Sequence, residues 1–525
     1  MLRTLSNIRR LLHAARVLAR HDALVPREYL AGMPVSVRVM RRILGTRDAP
    51  DTEAVAAGVR LARALESLGP AYIKLGQVLA TRPDLVGDDV ALALESLQDR
   101  LPPFPTKLAR QQVELALAKP IRDVFTNFSD AVAAASIAQV HEASTAGEPS
   151  RRVAVKILRP NVEQQFAEDL SAFGFAARLA ERFFREARRL RVVTVIDRLT
   201  ASVAMELDLR MEAAAAAELR DNTKDDADFR VPEVDWDRTG QRVMTAEWID
   251  GISVRDPGAL ARAGHDPRRI AVVVIRSFLT QALRDGFFHA DMHQGNLFVD
   301  ADGRLVAVDF GIMGRLSPDM RRFLAETLHG FLNRDYMRVA QVHYDFGFVP
   351  RAHPIATFAQ ALRAIGEPIF GRTARDLSMG RLLQQLFETT RRFDMPTQPQ
   401  LLLLQKTMMV AEGVARGLDP EFDIWAASRP VVERWMVQSV GPEARLRDAA
   451  EGLEALSKAA QHLPRLLRDA EAVSQMLSEG GLRLHPDTMR HFAEVQIRRA
   501  KHIRVAIWIA TASVIVLALV LLLYR

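Results

Sequence analysis

The sequence predicts an α+β chain: two lobes of mixed structure behind a helical N-terminal extension, with a membrane-spanning helix at the C-terminus. Three observations predict it. Strand-like stretches between residues 121 and 160, FSDAVAAASIAQVHEAS and RRVAVKILRP, interrupt a chain patterned mostly as helix. A second strand-turn-strand pattern at 288–312 sits inside a long helical run and carries acids at set spacings. Val505 to Tyr524 is a run of twenty residues without a charge.

The acids at 288–312 give the mixed part its character. Asp291 is followed five positions later by Asn296, and thirteen after that by Asp309-Phe310-Gly311. Protein kinases space a catalytic base and two metal ligands in this way, so the two lobes are read as protein-kinase-like. Asp291 would orient or deprotonate a hydroxyl. Asn296 and Asp309 would hold Mg²⁺ on the phosphates of ATP, and such hard oxygen donors suit that cation. Upstream, Val153-Ala154-Val155-Lys156 matches the strand that brings a lysine to the phosphates, making Lys156 the second catalytic candidate. Ala133-Ala134-Ala135-Ser136 lies where a kinase folds a glycine-rich loop over the nucleotide.

A lysine in that role needs a helical glutamate to hold it. Residues 192–222 read as one long helix carrying Glu206, Asp208 and Glu212, with Asp208 and Glu212 four apart on one face. Arg242 to Gly251 reads as a strand and a turn, where a hinge between lobes would meet adenine. That puts Glu247 and Trp248 beside the base. The organisation is a helical extension at 1–125, a smaller lobe at 126–250 and a larger one at 251–440. An amphipathic helical region at 441–504 and a transmembrane helix at 505–524 follow.

Each remaining part has its own reasons. Residues 51–100 are helical, with Lys74 and Gln77 three apart and so on one face, and Leu101-Pro-Pro-Phe-Pro105 marks a joint. Residues 1–20 place Leu5, Ile8, Leu11, Leu12, Ala15 and Leu18 at helical spacing among arginines. A surface helix on anionic lipid, a transit peptide and a simply packed helix all fit. The uncharged run at 505–524 spans roughly 30 Å at a helical rise, one bilayer core. Arg498, Arg499, Lys501 and Arg504 precede it and only Arg525 follows, so the bulk of the chain is expected on the cytoplasmic side of a single-pass C-terminal anchor.

Composition excludes other classes. The 525 residues contain no cysteine, which removes disulfides and thiolate metal sites. Lys and Arg number 71 against 64 Asp and Glu, a net +7 that suits phosphates or anionic lipid. Aromatics are 6% and form no basic-aromatic stripe, so no nucleic acid partner is expected.

With these residues in view, the chain resembles the UbiB/ABC1/ADCK/COQ8 family of atypical protein-kinase-like proteins over most of residues 20–440. Lys74-Leu75-Gly76-Gln77 is similar to the family's KxGQ signature, and Ala133 to Ser136 to its alanine-rich loop. Glu206-Leu207-Asp208 is similar to its ExD signature. Glu212 falls where its lysine-pairing glutamate sits, and His289-Ala290-Asp291 replaces the kinase HRD. The chain departs from the family pattern at Met292 and Gln294, where prolines are usual, and at Ala138, where glycine is usual. The tail resembles that of bacterial UbiB proteins, which implies the bacterial inner (cytoplasmic) membrane.

The resemblance implies a kinase-like fold whose extension covers the face where a protein substrate would bind. Lys74 and Gln77 would project toward the active site with Glu206 and Asp208 as polar partners. It implies a membrane-anchored ATPase or small-molecule or lipid kinase supporting ubiquinone biosynthesis. Quinone-pathway intermediates or enzymes are the expected partners, and a homodimer is among the assemblies allowed. The alternatives are a pseudokinase scaffold that binds nucleotide without turnover, and a true protein kinase. A hydroxylase finds no support, since there is no GxGxxG, no cysteine and no two-His-one-carboxylate set that outcompetes the kinase reading.

Overall fold

The structure is a computed structural model. It describes residues 2–23, 57–80, 86–94, 97, 102–183, 185–368, 388–390, 392–395 and 399–440. Residues Met1–Val437 form one compact unit, and Gln438–Arg525 another, of which only 438–440 are described. The expected amphipathic region and the uncharged run at 505–524 therefore lie outside the described residues. Among the described residues no helix is long and apolar enough to cross a membrane.

The extension begins with α1 (Leu2–Arg20), then α2 (Ala57–Leu68), α3 (Pro70–Ala80) and α4 (Asp88–Leu94). In α3 the helices approach closely at Gly76, where a Cβ would lie 2.3 Å from Leu97 and 2.9 Å from Leu65. Only glycine tolerates that crossing without repacking. The helix α5 (Thr106–Leu117) leads into the small lobe.

The small-lobe sheet is antiparallel in the order β1-β2-β3-β5: β1 (Phe125–Ala134), β2 (Ala138–Thr145), β3 (Arg152–Leu158) and β5 (Val243–Glu247). Period-two alternation decides what each face does. Val153, Val155 and Ile157 of β3 are buried in a core shared with Ala109 and Val113 of α5, while Lys156 points the other way. Ala138, at the usual glycine position, has an ordinary backbone and a buried methyl, so its Cβ packs rather than clashes.

Next come α6 (Val162–Phe183), α7 (Val192–Glu206) and α8 (Leu209–Thr223). The expectation of one long helix at 192–222 is corrected here. Asp208 is extended, with φ −116° and ψ 95°, and its carboxylate accepts the Arg210 N–H as the cap of a second helix. Local capping wins because Asp competes for backbone donors that a continuous helix would use. Asp208 and Glu212 therefore do not share a helix face as partners of one group. α1 packs on α6, with Arg10 paired to Glu168 and, at 2.6 Å, to Asp169. Residues 2–20 therefore pack against the body of the chain, while Leu5, Ile8 and Leu12 remain exposed.

The larger lobe is built on α9 (Pro267–Thr280), whose buried face includes Ile270, Val274 and Phe278. It contains more strand than the sequence suggests. β4 (Phe229–Arg230), β9 (Leu305–Ala307), β8 (Leu297–Val299) and β6 (Ile252–Ser253) form one small sheet, and β10 (Met313–Arg315) with β7 (Phe287–His289) another. These strands of two or three residues are too short to carry a readable period. The helices α10 (Pro318–Leu332), α11 (Tyr336–Asp345), α12 (Ile355–Gly366), α13 (Pro399–Leu418) and α14 (Ile424–Val440) complete the described chain.

Candidate functional site

The cleft between the lobes collects residues far apart in sequence. Lys156 Nζ lies 2.6 Å from Glu212 Oε1 and 3.2 Å from Asp309 Oδ1. The strand β3 presents the lysine, the first turn of α8 presents Glu212, and the loop between β9 and β10 presents Asp309. Asp309 sits at φ 65°, a left-handed conformation that Asp adopts more readily than most side chains. Its Oδ1 also accepts the Gly311 N–H at 3.2 Å, which fixes the carboxylate. Strain of this kind is retained where the surroundings enforce it, commonly at functional sites.

Electrostatics follows the geometry. Burial pulls the Lys156 ammonium down, but Asp309 and Glu212 outweigh it and hold the pKa above the ordinary lysine value. Burial pushes the Asp309 carboxyl up, yet Lys156 more than reverses this and leaves it at about 2. Glu212 is raised, because burial exceeds what Lys156 returns. The Asp309 side chain nevertheless keeps 47% of its surface accessible, so a charged acid faces the cleft.

The strand β7 and the turn after it position the second group. Asn296 Nδ2 donates to the Asp291 carbonyl at 3.1 Å and to its carboxylate at 3.3 Å. With that amide nitrogen engaged, Asn296 Oδ1 is the atom available to a cation. The buried His289 ring takes the Asp291 N–H on Nδ1 at 3.1 Å and packs edge-on against Phe310, centroids 5.5 Å apart. Burial lowers the His289 pKa and keeps the ring neutral, as the acceptor role of Nδ1 requires. A π-helical turn, Gln281–Asp285, precedes β7, and Gln281 Oε1 accepts the His289 N–H at 3.1 Å.

Ala290, where kinases carry Arg, is buried, and its carbonyl accepts from Thr407 Oγ1 of α13 at 3.0 Å. Met292, at a usual proline position, is fully buried. From Gly311 the chain passes through β10 directly to α10, capped by Ser317.

The other expected residues fall elsewhere. Lys74 Nζ pairs with Glu206 Oε2 at 2.7 Å, and both are largely buried. Gln77 is half-buried on the same helix. Asp208 is paired with Arg210 at 2.6 Å rather than with Lys74. Glu247 is held by Arg230 at 3.0 Å, and Arg230 also reaches Asp300 at 3.0 Å. Its N–H goes to the Glu233 carbonyl and that of Trp248 to the Arg152 carbonyl, so neither offers a donor to adenine in this arrangement. Ala133 and Ala134 end β1, paired with Val140 and Gln139, and Ala135 and Ser136 form the turn into β2. Sequence reasoning missed Gln139, Arg159, Arg230, Thr407 and the role of His289. Their contacts are long-range, from side chain to backbone or between distant charges, and leave no local pattern.

Comparisons with known proteins show the family. Residues 96–343 match the model of the ABC1 atypical kinase-like domain, and 362–423 that of the UbiB helical domain. A Marinobacter nauticus protein named "Probable protein kinase UbiB" is 40% identical over 89% of this chain and 85% of its own length. A Pseudomonas aeruginosa protein of the same name is 41% identical over 89% and 88%. One from Aliivibrio fischeri is 38% identical over 91% and 88%. A solved chain from an Rv3197–erythromycin complex of Mycobacterium tuberculosis is 25% identical, with a TM-score of 0.48, covering 76% of this chain and 97% of that one. With kinase-like residues gathered in one cleft and close relatives along nearly its whole length, the chain belongs to the UbiB family of atypical kinase-like proteins.

Proposed function

We propose that this chain is a membrane-anchored ATP-dependent enzyme, an ATPase or a small-molecule or lipid kinase, that supports ubiquinone biosynthesis. One observation carries the nucleotide part: Lys156 held between Glu212 and Asp309, at 2.6 and 3.2 Å, in the same cleft as Asp291 and Asn296. Lys156 would swing from Asp309 to the α- and β-phosphates while Glu212 keeps its direction. Asp291 would accept a proton from the attacking hydroxyl or water.

The donors fit Mg²⁺. Among the described residues no group of three or more His, Cys, Asp or Glu forms a metal cage. One ionised carboxylate, Asp309, and one carboxamide oxygen, Asn296 Oδ1, suit a hard cation that takes its other oxygens from phosphate and water. Bound there, the cation would neutralise charge on the phosphates. The end of β5 at Glu247 and Trp248 is the candidate adenine contact, through carbonyls and the indole.

The pathway assignment is supported by the name the relatives carry, and the anchor by the uncharged run at 505–524. The exposed Leu5, Ile8 and Leu12 beside Arg9 and Arg16 support contact with anionic lipid. The test is phosphate release from Mg-ATP by the whole chain, with and without anionic liposomes and a phenolic head-group analogue. Turnover is expected to rise with both additions and to fall by about a hundredfold or more in a D309N protein that remains folded. Equal turnover in folded D309N overturns the assignment. Normal quinone levels in a deletion strain overturn the pathway link, and binding without turnover assigns a scaffold.

A further inference from the structure

The alanine-rich turn is held from behind. Ala135 donates its N–H to the Ala138 carbonyl at 2.8 Å, closing the turn between β1 and β2. Arg159, just past β3, grips the turn twice. Its own N–H donates to the Ile137 carbonyl at 2.9 Å, and its guanidinium donates to the Ala135 carbonyl from Nε at 3.0 Å and Nη2 at 2.8 Å. The same Nη2 reaches the Pro102 carbonyl at 2.9 Å, and the guanidinium lies 5.8 Å from the centre of the Phe104 ring.

A second clamp repeats the connection. Gln139 accepts the Phe104 N–H at 2.8 Å and donates to the Phe104 carbonyl at 3.1 Å and to His141 Nε2 at 2.8 Å. His141 is fully buried and passes the chain to the Ser129 carbonyl at 2.9 Å. Residues 102–104 are thus fastened to both flanks of the turn, and they form the joint between the extension's earlier helices and α5.

The grip on Ala135 has a stereochemical result. The Ala135–Ser136 peptide is trans, so its carbonyl and the Ser136 N–H point in opposite directions. Pinning the carbonyl to Arg159 therefore fixes where the Ser136 amide points. The turn is held in this form although the buried Ser136 hydroxyl has no hydrogen-bond partner, a group that calls for an explanation.

We infer that Arg159 is a positioning residue: it presets the Ser136 amide for a nucleotide phosphate and couples that setting to residues 102–104 of the extension. This rests on the nucleotide reading above. The extension then acts on the phosphate loop through the joint at 102–104.

The structure supplies its own probe. Between Pro102 and Pro105 only Phe104 has a backbone N–H. In the full chain in detergent, hydrogen exchange at Phe104 and the Kd for Mg-ADP and a non-hydrolysable Mg-ATP analogue are measured together. In the wild type, nucleotide is expected to slow exchange at both 133–138 and Phe104. In R159A, affinity is expected to fall about tenfold, the scale of a lost charge-assisted bond. Nucleotide should then still slow 133–138 but leave Phe104 unchanged, with R159K intermediate in both readings. Wild-type affinity and a wild-type Phe104 response in R159A overturn the inference. Should R159A not fold, wild-type values of both in R159K overturn it. Failure of the wild type to bind nucleotide instead sinks the functional reading itself.

Discussion

Two lysine–glutamate pairs stand on either side of one helix break. Lys74 meets Glu206 at 2.7 Å and Lys156 meets Glu212 at 2.6 Å. The two glutamates are only six residues apart, and the break capped by Asp208 sends each to a different lysine. The first pair is closed, with side chains 11% and 19% accessible. The second includes Asp309, whose side chain is 47% accessible. Equal chemistry thus does unequal work: one pair fastens the extension to α7, and the other holds a charge ready at an open cleft.

The measurements that would break or sharpen that contrast run from the largest effect to the smallest. K156M should lower kcat/KM for Mg-ATP by roughly 10²–10³ and cost less stability than K74A, because the Asp309 it leaves behind is half exposed to solvent. A large drop in melting temperature would show that this pair, too, is a fastener. K74A should do the reverse and destabilise the fold by about 3 kcal/mol in denaturant titration, since it strands a largely buried carboxylate. K74A/E206A should cost less than the two single changes added.

The pH dependence separates other groups. His343 is buried among Phe323 and Phe358, and burial lowers its pKa to about 4. The unfolded chain binds that proton first, so this contribution to stability is complete above about pH 6.5 and declines toward pH 4. H343Q should flatten that part of the stability–pH curve by about 1–3 kcal/mol. Asp309 acts lower: its contribution is present above about pH 4 and is lost as pH falls toward its folded value of about 2. D309N should remove that lower slope and leave the upper one. The smallest effect belongs to T407V, which deletes the hydrogen bond to the Ala290 carbonyl. It should cost about 1 kcal/mol and lower kcat a few-fold at unchanged KM.

Much of the cleft was legible because its chemistry is written in spacings. Asp291, Asn296 and Asp309 sit at intervals set by a short turn and a short hairpin. Lys156 follows from strand alternation, which turns it away from the valines on either side. Glu212 was legible as a helical acid, but the helix itself was not, since period alone does not show that Asp208 would rather cap than continue. The small strands of the larger lobe were hidden by their brevity. Arg230, Arg159 and Gln139 were hidden for another reason: each joins segments tens of residues apart, and their pairing appears only once the chain is folded.

The direct passage from Gly311 through Met313–Arg315 to the capped helix at Pro318 has a consequence for timing. Many kinases are switched by ordering a long segment at this place, a change slow enough to serve as memory of a past signal. Here there is no length of chain between those points to be reordered, and Thr407 of α13 already braces the neighbouring turn. A site built this way stores no such record. If the site turns over nucleotide as proposed, its rate would follow supply rather than a stored state.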